Sequence, residues 1–209
     1  MRRLADLSGT DPARISGISD GIFSVGMTLL VLGLVVPAFT SPPTENDLWN
    51  RLVGLAPHVL VYTTSFITLG IFWLGQGTQI SRLARSNRHY QWLQLGFLFC
   101  VTLVPFPTAL LANFYWLRVA LVEYWLNILL LGASLLAALE YGLRANLFEE
   151  EGRSEMVHLM RGRIWIAQSL YAGATLLSVV FPTWVSIALI VLIQLNYVLA
   201  PRIPFLYRF

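Results

Sequence analysis

Three long stretches of this sequence contain no Asp, Glu, Lys or Arg. They cover residues 52–81, 89–117 and 164–201. About a quarter of the residues in a soluble domain are charged, whereas here the charged share is 12% and the hydrophobic share is 56%. Because about 20 apolar residues are enough for one helix to cross a bilayer, these stretches predict an all-α membrane protein.

The predicted fold is a bundle of six transmembrane helices forming a single domain, residues 1–209. The first two uncharged stretches hold one span each, and the third holds two spans separated at Pro182. Two further apolar segments complete the count, one containing Asp20 and one bounded by Glu123 and Glu140. Counts of five and seven spans are the alternatives. The six predicted spans are residues 15–36, 51–74, 91–112, 117–140, 163–181 and 183–200.

The basic residues predict the orientation, since Arg and Lys concentrate in short cytoplasmic loops. All 14 basic residues are arginine. If both ends of the chain lie in the cytoplasm, only Arg51 and Arg118 fall on the opposite side. The net charge of +3 then reflects membrane topology, and we expect no nucleic-acid partner. Residues 141–163 are predicted to form a solvated cytoplasmic connection that is helical in part.

Few residues could support catalysis or bind a resident metal ion. The one cysteine, Cys100, lies within the third predicted span, and the three histidines are isolated in the sequence. A membrane enzyme would need a nucleophile, a base or metal ligands that converge near one interface. Ser19 beside Asp20, or His58 with Glu123, are isolated pairs that do not meet this requirement. We expect no enzyme activity and no cofactor.

The first span carries a charged residue and a narrow stripe of side chains. A charged side chain at the bilayer centre costs about 2.5 to 3.5 kcal/mol on insertion scales, so Asp20 should have a protein or water partner. Arg14 is six residues away, which is not a same-face spacing on one helix. An α-helix turns by about 100° per residue around its axis. Four residues therefore project at 80–140° from the direction of Asp20 and form one stripe: Gly21, Val25, Thr28 and Leu32.

The stripe has two readings, an ordinary helix packing seam or the lining of a pore in a symmetric oligomer. In the pore reading, a ring of Thr28 hydroxyls could replace part of the hydration of a cation, and a ring of Val25 methyl groups could close the pore by dewetting. Spacing alone does not choose between them.

Three motifs resemble those of the transmembrane protein 175 family of potassium channels. That family opens with an Arg, then Phe-Ser-Asp, then an apolar helix rich in Thr and Leu. Here Arg14 is followed by Ile18-Ser19-Asp20 and such a helix. The other matching stretches run from Ser65 to Trp73 and from Leu103 to Leu111, so the resemblance covers the first half of the chain.

The resemblance implies a prokaryotic single-repeat member, a homotetramer in the plasma (inner) membrane with four copies of the first helix around a central pore. It implies passive passage of K+ and other monovalent cations, without the Thr-Val-Gly-Tyr-Gly loop of other potassium channels. Matched by position, the hydrophobic constriction falls on Val25 and the selectivity residue on Thr28. Gly21 and Leu32 would be further lining residues, and the only metal would be transient K+.

The family signature also implies a polar network that holds the pore helix. Its members here would be Arg14, Ser19, Asp20, Trp73 and Gln76. The sequence departs from the family pattern at three positions: Ile18 replaces Phe, Gln76 replaces a usual His, and Gln94 replaces a usual Asn.

A proton-coupled secondary transporter is the alternative function, with Asp20 and Glu123 as its carboxylates. Many secondary transporters contain inverted repeats and helices broken at matching places in two halves. This sequence shows neither feature.

Overall fold

The computed structural model describes residues 11–199, in which the regular secondary structure is helical apart from one isolated β-bridge. The all-α prediction is confirmed for this part of the chain. The helices are α1 (Ala13–Leu29), α2 (Glu45–Gly54), α3 (Ala56–Ser81), α4 (Arg88–Leu103), α5 (Pro105–Asn113), α6 (Arg118–Arg144), α7 (Arg153–Leu176) and α8 (Thr183–Leu199). Two 3-10 turns, Leu30–Gly33 and Leu177–Val179, continue α1 and α7.

Four helical segments among these are long and apolar enough to cross a membrane: Ala13–Gly33, Ala56–Ser81, Arg88–Asn113 and Arg118–Arg144. The apolar part of α8, Thr183–Val198, is shorter. The first half of α7 carries charged residues, and this helix is not among the four. A helix overlaps every predicted span, and the count of six spans stays a prediction.

The boundaries of most predicted spans differ from the structure by several residues, above all for the span predicted at 163–181, because α7 begins at Arg153 and ends at Leu176. The span predicted at 51–74 is helix α3, which begins at Ala56 because Leu55 separates it from α2, and which continues to Ser81. The span predicted at 91–112 is divided into α4 and α5 at Val104. Pro105 opens α5, where its missing N–H and fixed φ favour a new helix start.

Helix α1 packs against α3 and α4, while α6 lies against α4, α5 and α7, and α8 contacts α3 and α7. The buried residues of α1 and its 3-10 turn follow a helical spacing of three and four: Ile15, Ser19, Phe23, Gly26 and Leu30. Gly26 lies close to Leu69 and Val101, whereas Gly33 faces open space. One face of α1 is therefore fixed against the rest of the subunit.

Two loops interlock at the end of the bundle where α3 and α6 finish. Leu83 forms an antiparallel bridge with Phe148, and the Ala84 N–H donates to the Leu147 carbonyl at 2.9 Å. The Glu149 N–H donates to the Arg82 carbonyl at 3.0 Å. We call residues 82–87 and 145–149 the clasp. Leu147 and Phe148 are buried, so the prediction that residues 141–163 form a solvated connection is wrong for this part.

Candidate functional site

The predicted stripe of α1 lies on the surface of the single chain. Gly21, Val25, Thr28 and Leu32 are all exposed, and the exposed fraction is 56% for Val25 and 71% for Leu32. The opposite face of α1 is buried against α3 and α4. In a membrane, such an exposed face must contact lipid, another subunit or a water-filled pore.

The Thr28 hydroxyl donates its hydrogen within its own helix. Its Oγ1 lies 2.8 Å from the Val25 carbonyl and 3.0 Å from the Ser24 carbonyl. A hydroxyl has one donor hydrogen and two acceptor lone pairs. Because the hydrogen points back to the helix, the lone pairs of Oγ1 stay available to a water molecule or a cation on the exposed side.

Leu32 lies in the 3-10 turn Leu30–Gly33, so it does not continue the α-helical stripe in a straight line. A 3-10 helix has three residues per turn, which adds about 20° of rotation per residue. Three such residues, from Leu30 to Leu32, rotate Leu32 by about 60° relative to Val25 and Thr28.

Asp20 has a protein partner on the neighbouring helix. The Trp73 indole Nε1 donates to its Oδ1 at 2.8 Å, and both side chains are exposed in the single chain. This bond connects α1 to α3 beside the stripe, one residue before Gly21.

Ser19, one residue earlier, belongs to a buried chain of polar side chains. The Ser19 hydroxyl donates to the Ile15 carbonyl at 2.7 Å and accepts from Gln76 Nε2 at 3.1 Å. The same nitrogen donates to Gln94 Oε1 at 2.7 Å, and Gln94 Nε2 donates to the Tyr90 hydroxyl at 2.8 Å. The chain therefore connects α1, α3 and α4 through side chains that are at most 2% exposed.

The five residues expected to form one network occupy three separate places. Asp20 and Trp73 form the exposed pair, and Ser19 and Gln76 belong to the buried chain. Arg14 is exposed, and its guanidinium makes no hydrogen bond or ion pair within residues 11–199.

Tyr90 and Gln94 belong to the buried chain but were not among the five residues expected in the network. Tyr90 and Gln94 are four residues apart on α4, a spacing that places them on one face. This four-residue spacing is the sequence feature from which the contact between Tyr90 and Gln94 could have been predicted.

The two carboxylates of the alternative transporter are not brought together. Ile15 and Leu139 share one apolar cluster, so the start of α1 and the end of α6 meet at the same end of the bundle. Glu123 lies near the start of α6, at the opposite end, and has no hydrogen bond or ion pair in the described part of the chain. Residues 11–199 also contain no group of three His, Cys, Asp or Glu side chains placed to hold a metal ion.

Comparison with known proteins finds a family match for residues 14–105. The family model for the endosomal/lysosomal potassium channel TMEM175 matches residues 14–105, which include α1, the Asp20–Trp73 pair and the buried chain. The chain is therefore similar to the TMEM175 family over 92 of its 209 residues. It is a membrane protein with transmembrane helices.

Two bacterial proteins that are similar to this chain carry the name potassium channel. A protein of Streptomyces collinus is 36% identical over 104 residues, which are 50% of this chain and 49% of the relative. A protein of Chamaesiphon minutus is 36% identical over 105 residues, 50% of this chain and 51% of the relative. The chain thus spans about half the length of the curated relatives it matches.

The structural match extends further than the sequence matches. The crystal structure of a lysosomal potassium-selective channel TMEM175 homolog from Chamaesiphon minutus aligns with a TM-score of 0.75 and 26% identity. The alignment covers 90% of this chain and 97% of the solved one. The two proteins therefore share their fold well beyond residue 105.

Proposed function

We propose that this chain is a member of the TMEM175 family and a subunit of a passive potassium-permeable channel. Two bacterial relatives are named potassium channels, and one observation on α1 supports the same function for this chain. The stripe with Val25 and Thr28 is exposed along one side, while the opposite side is buried in the subunit's own bundle. A helix held in this way can turn one face toward a central pore.

In the proposed assembly, four copies of α1 surround the ion pathway. The Thr28 hydroxyls form a ring whose free lone pairs replace some water ligands of a dehydrating cation. One turn closer to the start of α1, the Val25 side chains form an apolar constriction that closes the pathway when water leaves it. The sequence contains no Thr-Val-Gly-Tyr-Gly loop, so selectivity rests on few fixed oxygens and should be modest.

The polar contacts of α1 would keep this helix in register with the pore. The buried chain from Ser19 to Tyr90 fixes its inner side, and the Asp20–Trp73 bond fixes one edge. We further propose six spans, a homotetramer and cytoplasmic chain ends in a prokaryotic inner membrane. The location of twelve of the 14 arginines on one side in this topology supports the orientation.

Cation flux through the purified protein in liposomes tests the proposal. Potassium and sodium gradients should be compared for the parent, Thr28→Ala and Val25→Ala. We expect fast, non-saturating potassium flux, a lower preference for potassium in Thr28→Ala and a leakier pathway in Val25→Ala. Saturable, pH-coupled uptake sensitive to Asp20→Asn would instead favour the transporter.

A further inference from the structure

Half of the ten arginines in residues 11–199 have guanidinium groups without a partner in this described part of the chain. Arg14, Arg82, Arg85, Arg88 and Arg144 are exposed and make no side-chain hydrogen bond, ion pair or ring contact in this range. The other five have one: Arg51 with Phe39, Arg118 with Val179, Arg153 with Asn146, Arg161 with Glu140 and Arg163 with Tyr197. We call the five unpartnered residues the arginine collar.

All members of the arginine collar lie at one end of the bundle. They stand within three residues of members of a single buried apolar cluster: Ile15, Leu83, Tyr90 and Leu147. These positions are the start of α1, the loop after α3, the start of α4 and the end of α6. The members of the collar therefore lie near one shared apolar cluster.

The clasp holds part of the collar in place. Arg82 accepts a backbone hydrogen bond from Glu149, and the Arg85 N–H donates to the Leu147 carbonyl at 3.3 Å. Between them Leu83 is buried and pairs with Phe148. The backbone carrying Arg82 and Arg85 is thus ordered by contacts that do not involve their charges.

Nearby acidic residues do not neutralise the collar. Glu149, Glu150 and Glu151 follow the clasp, yet their carboxylates lie beyond 4.0 Å from every guanidinium in residues 11–199, where Glu140 and Arg161 form the ion pair. Asp11 instead accepts from the Ala13 N–H near the start of α1. Five positive charges remain at or next to the ends of helical segments that are long and apolar enough to cross a membrane.

We propose that the arginine collar binds the phosphate of anionic lipid headgroups. A guanidinium is always charged and can bind phosphate oxygens through two parallel hydrogen bonds. Basic groups at the ends of membrane helices are placed at the depth of lipid phosphates. The clasp orders the backbone of Arg82 and Arg85 before any lipid binds. This backbone therefore loses less conformational freedom when the lipid binds.

Native mass spectrometry of the purified full-length protein tests this proposal with phosphatidylglycerol and phosphatidylcholine as probes. We expect saturable retention of phosphatidylglycerol in preference to phosphatidylcholine. The double variant Arg82→Gln/Arg85→Gln should weaken phosphatidylglycerol binding about thirty-fold, since each basic residue near an anionic lipid surface contributes about five-fold. The matched control Arg51→Gln/Arg118→Gln removes the same charge at the opposite end and should bind within two-fold of the parent.

Three results would overturn the proposal. They are equal retention of the two lipids, equal losses in the two double variants, and full displacement of phosphatidylglycerol by millimolar inorganic phosphate, which would indicate a site for the free anion. Melting temperatures of both variants check that each is folded, and Arg88→Gln/Arg144→Gln repeats the test outside the clasp. Since the measurement requires no ion flux, its failure is distinguishable from failure of the proposed channel function.

Discussion

The Trp73 indole nitrogen lies 2.8 Å from a carboxylate oxygen of Asp20. The charged side chain in helix α1 therefore has its hydrogen-bond partner on helix α3. The bond lies at the edge of the α1 stripe and leaves the stripe itself free. A carboxylate in a span is costly unless it is paired, and the indole supplies that pairing without a second charge.

Removing this bond should destabilise the fold moderately. We expect Trp73→Phe to lower the free energy of unfolding by about 1 kcal/mol, since hydrogen bonds between membrane helices contribute about 0.6 to 2 kcal/mol. Thermal unfolding in detergent micelles would measure the loss. Trp92→Phe is a suitable control, because Trp92 is exposed on α4 and makes no side-chain hydrogen bond within residues 11–199. Equal losses in the two variants would contradict this role of the Asp20 bond.

The buried chain should be more sensitive to substitution. Gln76→Leu removes two donated hydrogen bonds and leaves Gln94 Oε1 buried without its partner, which should cost about 2 to 3 kcal/mol. Chemical denaturation in mixed micelles would measure the change.

Gln79→Leu is the matched control for the buried chain. Gln79 is equally buried on α3, but it donates to the Leu135 backbone carbonyl, and its own Oε1 already has no partner. Replacing Gln79 leaves no other polar side chain without its hydrogen-bond partner. The free energy of unfolding should therefore stay near that of the parent. A larger loss in Gln79→Leu than in Gln76→Leu would contradict the expected order.

Gly142 on α6 leaves room for the clasp. A Cβ at this position would lie 2.6 Å and 2.9 Å from two ring carbons of Phe148 and 3.2 Å from the Tyr90 ring. Both rings are buried, so Gly142→Ala should cost about 1 to 3 kcal/mol through overpacking. Gly77→Ala is the control, because its surroundings are open and alanine favours the helix. The melting temperatures of the two variants would test this expectation. An unchanged melting temperature of Gly142→Ala would mean that the clasp can move to make room for the added methyl group.

Thr28 offers a test of ion selectivity. Thr28→Val keeps the branched shape but removes the oxygen, so we expect a lower potassium-to-sodium permeability ratio, while Thr28→Ser should retain the parent ratio. Reversal potentials in planar bilayers under bi-ionic conditions would measure it. Thr102→Val is the control, because Thr102 is also exposed and donates to its own helix. A changed oligomeric state of Thr28→Val at unchanged selectivity would make Thr28 a packing residue.

Acid should loosen the start of α2. The Thr44 hydroxyl and Thr44 N–H both donate to the Asp47 carboxylate, and these bonds hold its pKa below the ordinary 3.8. The ionised carboxylate therefore stabilises the helix start above the unfolded pKa, and this contribution is lost as pH falls through the folded pKa. A spin label at Asn46→Cys in a Cys100→Ser background should become more mobile below pH 3.8.

Asp47→Asn removes the titrating group from the same helix start. In this variant the mobility of the label should change little over the same pH range. An identical acid response in both proteins would place the effect on another carboxyl, such as Glu45.

The sequence was sufficient to predict the long apolar helices and the residues that share the Thr28 stripe of α1, because uncharged length and a 3.6-residue period are local properties. It did not predict α2 as a separate helix. It could not predict the buried chain, since Gln76 and Gln94 lie on different helices and meet only through packing. Leu147 and Phe148 stand between charged residues, which concealed their burial in the clasp. Pro105 did signal the break between α4 and α5, but the predicted third span ran through it.

Contacts between the two halves of the chain limit which sequence changes the second half can accept. The family match stops at residue 105, yet Asn127 on α6 donates to the Cys100 carbonyl on α4, and Gln79 on α3 donates to the Leu135 carbonyl on α6. A fragment ending at residue 105 would expose the α4 surface that α6 covers. The matched segment therefore relies on α6 to cover part of its surface, and sequence changes in α6 must preserve the shape that packs against α4.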